Sequence, residues 1–189
     1  SSAASDVYKR QVQQYLPHDL NAYMAGGRPW DLDRSHGGLQ ILPPYEGSHG
    51  EGFASGNSDS IYRQSAIIRE ANPDLVLVLS ADHLYTTDFR SVVDTHLTKR
   101  ADLTMVTTEV PEDPSRYSVV RTDEAGQVTE FAYKPEEPNG NLVAGEMFLF
   151  STDVLLSALD TLQSELGQLG DYGEDLIPYV LEPVSYTHL

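Results

Sequence analysis

Residues 75–109 constrain the fold more tightly than any other part of the chain. Leu75-Val-Leu-Val-Leu-Ser80 is a near-continuous aliphatic run, the pattern of a strand buried on both faces. Phe89, Val92, Val93, His96 and Leu97 then fall at i, i+3, i+4, i+7 and i+8, an apolar helical stripe that Thr87 or Asp88 is placed to cap. Leu103 to Glu109 has the length and residue types of a second strand. Strand, helix and strand in this order make a βαβ unit, with a right-handed crossover and parallel strands. Ligands of such sheets bind outside the carboxyl ends of the strands, so Ala81-Asp82-His83 stands where chemistry is expected.

The remaining pattern extends this into an α/β domain with a mixed, mostly parallel central sheet. Residues 12–25 read as a short helix using Tyr15, Leu20 and Tyr23 for packing. A loop-rich stretch follows, in which Pro43-Pro44 should break any strand over Leu39 to Leu42. Asn57 or Ser58 can cap a helix running from Asp59 to about Asn72 and stopped by Pro73. Asp123-Glu-Ala-Gly126 between two strand-like runs signals a hairpin. Leu142 to Ser151 reads as another strand, Val154 to Leu162 as an apolar-faced helix, and Tyr172 to Leu181 as one more. Residues 1–11 and 183–189 resemble translated adapter sequence and are set aside, leaving a partial domain over residues 12–182.

Composition narrows the function classes. A chain of 189 residues has the length of one domain. Its formal charge of −17 argues against nucleic acid and against an anionic membrane surface, both of which need clustered Lys and Arg. It leaves open a small phosphorylated substrate, for which one lysine and a metal supply the local positive field. No apolar run reaches the roughly 18 residues of a membrane span. The absence of cysteine excludes disulfides and thiolate metal sites, in keeping with a cytoplasmic protein.

Four places could carry chemistry. Asp82 is either a hard oxygen ligand for Mg²⁺ or a solvated turn residue. His83 is either an acid–base group or a loop anchor. Lys134, held extended by Pro135, either meets a phosphate or is solvated. Gly56-Asn57-Ser58-Asp59-Ser60 opens a helix whose free N–H groups either meet a ligand or are simply capped. Neither a P-loop nor a dinucleotide fingerprint is present.

Six segments in order resemble one family: Gln14-Tyr15-Leu-Pro-His18-Asp-Leu20, Leu42-Pro43, Gly56-Asn-Ser-Asp59-Ser60, Ala81-Asp82-His83-Leu-Tyr85-Thr-Thr-Asp88-Phe89, Phe131-Ala-Tyr-Lys134-Pro135 and Asp171-Tyr-Gly173-Glu-Asp175-Leu-Ile-Pro178. The chain is similar in these to bacterial glucose-1-phosphate adenylyltransferase. The resemblance implies a Rossmann-like, GT-A-like nucleotidyltransferase domain, incomplete at both ends. It implies a reaction between ATP and α-D-glucose 1-phosphate that yields ADP-glucose and pyrophosphate for glycogen synthesis. By the same resemblance Asp82 is the catalytic Mg²⁺ ligand, and Lys134, Tyr133, Ser118 and Gly145 lie on the substrate side. Gly56, Asn57, Ser58, Asp59 and Ser60 border the nucleotide, and the full-length protein is a homo-oligomer, a tetramer in the family.

Departures from the family pattern cluster on the sugar and base sides. Ala81 replaces a glycine, Ala54 an aromatic residue, Ser118 a glycine, Tyr133 a glutamate and Ala144 a serine, and Leu42-Pro-Pro-Tyr-Glu46 lacks two glutamines. These leave two alternatives: another base or sugar, or a non-catalytic regulatory paralogue binding nucleotide or sugar phosphate. The family's Gly-rich loop and second metal carboxylate belong outside residues 12–182, so this stretch by itself is expected to be inactive.

Overall fold

The structure is a computed structural model that describes residues 8–12, 38–42 and 54–182, with isolated positions at 22, 24, 27 and 28. It divides into two compact units, Ser1–Ser55 and Gly56–Leu189. In the first, β1 (Tyr8–Val12) pairs in parallel with β2 (Gly38–Leu42), in register from Tyr8 opposite Gly38 to Val12 opposite Leu42. Two expectations change here. Residues 8–11, set aside on sequence, are strand, and Val12 is strand rather than the start of a helix. Their partner is some 30 positions away, a pairing that local periodicity does not reveal. The proline pair does not abolish β2 but follows its last residue, where a missing N–H costs the ladder nothing. Ala22 and Met24 are helical, while the other residues of the helix expected over 13–25, including Tyr15, Leu20 and Tyr23, lie outside the described residues.

The second unit holds helices α1 (Asn57–Arg63) and α2 (Ser65–Ala71), strand β3 (Leu75–Leu79), helix α3 (Phe89–Lys99) and strand β4 (Leu103–Glu109). Strands β5 (Val119–Thr122), β6 (Val128–Ala132) and β7 (Leu142–Ser151) follow, then helices α4 (Thr152–Leu166) and α5 (Leu176–Leu181). The single helix expected before Pro73 is two, interrupted at Gln64. The βαβ unit is present, but β3 and β4 do not touch. Both pair antiparallel with β7, so they run parallel to each other with β7 between them. The expected parallel character therefore survives only in part: strand direction in the sheet is mixed, while its registered pairings are antiparallel. β4 follows one edge of β7, and β3 and β5 share the other.

β7 takes the central place because it is apolar on both faces. Met147 and Leu149 pack with Val92 of α3, whereas Phe148 and Phe150 pack with Leu155, Leu159 and Ile177 of α4 and α5. Alternation along a strand turns consecutive residues to opposite faces, so the sheet is covered by α3 on one side and by α4 and α5 on the other. Each such fully buried side chain stabilises the fold by roughly 1.5–3 kcal/mol. β3 is less buried than its sequence suggests. Leu77 and Leu79 remain 36% and 42% exposed, and Phe89 and Leu97 of the α3 stripe are exposed too. Val92 and His96 alone of that stripe are buried, because α3 crosses the sheet at Leu75, Met147 and Leu149 rather than along the whole of β3.

Local signals hold elsewhere. Asp88 caps α3 by accepting from the Arg90 amide at 3.0 Å. The β5–β6 turn closes around Asp123, whose carboxylate accepts from the amides of Ala125 and Gln127 at 2.9 and 2.8 Å, with Gly126 at φ +78°.

Candidate functional site

The first half of the site is the carboxyl end of β3. Asp82 has a side chain 82% exposed, and one carboxylate oxygen, Oδ1, takes both of its protein hydrogen bonds. The donors are the Ser80 hydroxyl and His83 Nδ1, the latter at 2.8 Å. These bonds hold the carboxyl below its ordinary value, Ser80 contributing most and His83 next. The side chain is otherwise exposed, so its carboxylate remains accessible as a hard oxygen donor. Among the described residues no group of three His, Asp or Glu side chains forms a closed metal site. One accessible carboxylate with open positions fits a cation that arrives with substrate phosphates, the habit of Mg²⁺. His83 is the anchor of Asp82, and its ring stacks at 6.0 Å from that of Tyr85.

The second half lies around β7, where three residues, 145–147, are opposite the single Val106 of β4. This bulge holds Gly145 and Glu146, and Glu146 has φ +53°. Its carbonyl oxygen turns back to β3, accepting from the Ser80 amide at 3.2 Å and the Tyr85 hydroxyl at 2.8 Å. Its carboxylate accepts from the Tyr172 hydroxyl. Tyr172 is buried edge-on against Phe148, and that burial, followed by Glu146, drives its hydroxyl pKa strongly upward.

Beside it, Lys134 has φ +40°, which corrects the extended geometry expected before Pro135. Four described non-glycine residues have positive φ, and two of them, Asn72 and Arg100, are helix C-caps. Lys134 and Glu146 have no such local reason, and a left-handed backbone costs a side-chain-bearing residue about 1–3 kcal/mol. Lys134 Nζ sits 4.7 Å from the Tyr133 ring centroid. Its pKa is raised chiefly by Tyr133, with Asp171 and Glu146 adding attraction. The Tyr133 hydroxyl donates to Asp171 Oδ2 at 3.0 Å, while Asp171 Oδ1 accepts from the Asn57 amide at 3.2 Å. Two chains of contacts thus form. One runs from Asp82 through Ser80 and Glu146 to Tyr172, with Tyr85 bridging Ser80 and Glu146. The other runs from Lys134 through Tyr133 and Asp171 to the start of α1, and the two meet at the Asp171–Tyr172 peptide bond.

Two glycines make this packing possible. A Cβ on Gly56 would lie 2.2 Å from the carbonyl carbon and oxygen of Gly170, and one on Gly173 would lie 2.1 Å from the Tyr133 ring. The close approach at Gly56 is therefore to the chain's own backbone.

A family model described as nucleotidyl transferase matches residues 12–187. The chain belongs to this family. It is similar to the glucose-1-phosphate adenylyltransferase of Thermotoga maritima, 37% identical over 179 residues, or 94% of this chain and 42% of the relative. The enzymes of that name from Geobacillus stearothermophilus and Lachnospira eligens are 39% and 41% identical, covering 90% and 89% of this chain and 44% and 40% of theirs. The chain thus spans about two fifths of the length of these curated relatives. No described helix is long and apolar enough to cross a membrane.

In this nucleotidyl transferase chain the sequence-derived residues fall into three groups. Asp82 lies on the first contact chain, Lys134 and Tyr133 lie on the second, and Gly145 lies in the β7 bulge. Ser118 is buried in the sheet, where its carbonyl accepts from the Ala144 amide at 2.9 Å. At the α1 start the amides of Asn57 and Ser58, expected from sequence to be free, donate to Asp171 and to the Gly170 carbonyl. Neither Asn57 nor Ser58 is the cap residue, which is Gly56. Asp59 is 4% exposed and paired with Arg63 at 2.9 Å, and the hydroxyl of Ser58 is buried. Sequence reasoning assigned no role to Asp171, Tyr172 or Glu146. The first two open the Asp171–Pro178 segment that carries part of the resemblance, whereas Glu146 carries no local signal.

Proposed function

We propose that the full-length protein joins ATP and α-D-glucose 1-phosphate into ADP-glucose and pyrophosphate. The observation that carries this reading is that the contact chain from Asp82, just beyond β3, and the one from Lys134 end on neighbouring residues, Tyr172 and Asp171. An accessible carboxylate and an ammonium held over the Tyr133 ring suit a reaction between two phosphorylated molecules. The names of the relatives support the choice of substrates.

In the reaction an oxygen of the sugar phosphate attacks the α-phosphorus of ATP in line. A new phosphorus–oxygen bond forms as the bond to the β-phosphate oxygen breaks, and pyrophosphate leaves. Lys134, fixed by Tyr133, offsets the charge of the sugar phosphate and orients the attacking oxygen. Asp82, held by Ser80 and His83, would hold Mg²⁺, which when bound neutralises phosphate charge. The backbone at Gly56 to Ser60 forms the nucleotide-side wall, with Asp171 fixing its first amide. No covalent intermediate is required.

The replacement of glutamate by Tyr133 beside Lys134 favours a second reading, in which the sugar differs from glucose. The test is pyrophosphate release and ADP-glucose formation by the full-length protein. Stoichiometric products are expected, with Asp82→Asn reducing turnover by about 10²–10³-fold. Turnover unaffected by Asp82→Asn, or no transfer to any sugar 1-phosphate, overturns the assignment.

A further inference from the structure

Glu146 occupies a position whose construction has no explanation in the sheet itself. Its backbone is left-handed without being a helix cap, and it stands in a bulge that sets three β7 residues against one of β4. Bulges re-aim side chains, and strain of this kind persists where the surroundings over-determine it. Here the surroundings act on both ends of the residue. Its carbonyl is held by Ser80 and Tyr85, and carboxylate oxygen Oε2 by the buried hydroxyl of Tyr172. Among the described residues, Tyr172 is the one hydrogen-bond donor to the carboxylate, so Oε1 is oriented but unused.

We infer that Glu146 is a specificity-determining residue whose Oε1 accepts a hydrogen bond from a ring hydroxyl of the sugar 1-phosphate, with Tyr172 positioning it. This rests on the function proposed above and deepens it. A carboxylate oxygen accepts hydrogen bonds from hydroxyls and is poorly suited to phosphate, so Glu146 can serve the hydroxyl-bearing part of such a substrate while the Lys134 ammonium serves the phosphate. The pairing divides one substrate between two strained residues from different strands and loops. Glutamate is absent at position 133, next to the lysine, where Tyr133 stands. Glu146 brings a carboxylate from β7 instead, tied to Tyr172, the neighbour of the Asp171 to which Tyr133 donates.

The test uses the full-length enzyme, glucose 1-phosphate and its 2-, 3-, 4- and 6-deoxy analogues, with wild type, Glu146→Gln, Glu146→Gly and Tyr172→Phe. Hydrogen bonds to charged groups predict that wild type loses about 10–100-fold in kcat/KM on one deoxy analogue. Glu146→Gly should lose a similar factor with glucose 1-phosphate and nothing more with that analogue. The KM for ATP should stay unchanged. Glycine relieves the left-handed backbone but leaves the Tyr172 hydroxyl without its acceptor, so the Tm of Glu146→Gly should fall no further than that of Tyr172→Phe, while the loss of deoxy discrimination separates substrate reading from a structural role. Tyr172→Phe should raise the sugar KM more than it lowers kcat. Deoxy penalties that are the same in wild type and Glu146→Gly overturn the inference. Should wild type bind glucose 1-phosphate in calorimetry without transferring a nucleotidyl group, the reading of function fails. Glu146 is then judged by affinity alone, and equal affinity in Glu146→Gly overturns it.

Discussion

Asp82 and Glu146 are carboxylates on two halves of one connected site, held in opposite ways. Asp82 hangs in solvent at the end of β3 and is fixed by neighbours one and two positions away. Glu146 is fixed by Tyr172 and Tyr85, 26 and 61 positions away, on a bulged and left-handed backbone. The difference teaches that a site can combine a locally built half, inexpensive to fold, with a half that tertiary contacts must force into place. Removing a group should therefore cost mainly chemistry at the first and mainly stability or recognition at the second.

The largest expected effect tests the locally built half. Asp82→Asn should lower turnover by about 10²–10³-fold and leave the thermal midpoint within about 1 °C, because an exposed side chain adds little to stability. A large fall in Tm measured by calorimetry would break the comparison. Next, Gly56→Ala should destabilise by about 3 kcal/mol or more in urea titration, since its Cβ meets Gly170 backbone that has no rotamer to yield. Gly173→Ala should cost less, about 1–3 kcal/mol, because its Cβ meets a side chain, the Tyr133 ring. An equal, small effect of both would mean the 170–173 turn shifts freely.

A smaller effect concerns pH. His96 is 2% exposed, with its ring nitrogens 2.9 Å from Thr104 Oγ1 and 3.1 Å from Ser151 Oγ. Burial lowers its pKa from the ordinary 6.5, with Asp102 opposing the shift. The unfolded chain then binds the proton first, so stability is level above pH 6.5 and falls as pH drops below it. One proton bounds the slope at about 1.4 kcal/mol per pH unit, and the fall ends at the lowered folded-state pKa. His96→Asn should flatten it in urea titrations between pH 7 and 5. The pKa of Asp82 is also lowered, from 3.8, which adds stability above that value and loses it as pH falls further. Solvent screens that contribution, so the fall between pH 6.5 and 5 should belong to His96.

Much of the fold was legible in the sequence where one stretch carries its own instructions. The period of Val92 and His96, the Asp88 cap, the Asp123–Gly126 turn and the placing of Asp82 just after an aliphatic strand all depend on residues a few positions apart. The α1 start misled because glycine, serine and asparagine there look like a free helix end. Their amides are instead taken by residues 170 and 171, more than a hundred positions later. Lys134 misled because the pre-proline rule describes a local preference that the packing of Tyr133 against Gly173 and Asp171 outweighs.

The amino-acid sequence by itself determined the order of elements from β3 onward, the βαβ unit and the end of β3 just before Asp82, since capping, turn chemistry and hydrophobic period act within a few residues. Tertiary structure alone decided that β7 separates β3 from β4, that Leu77 and Leu79 stay exposed, and that Glu146 is tied to Tyr172 and Tyr85. Those outcomes depend on which distant apolar faces meet and which buried polar groups must find partners, and no short stretch of chain contains that information.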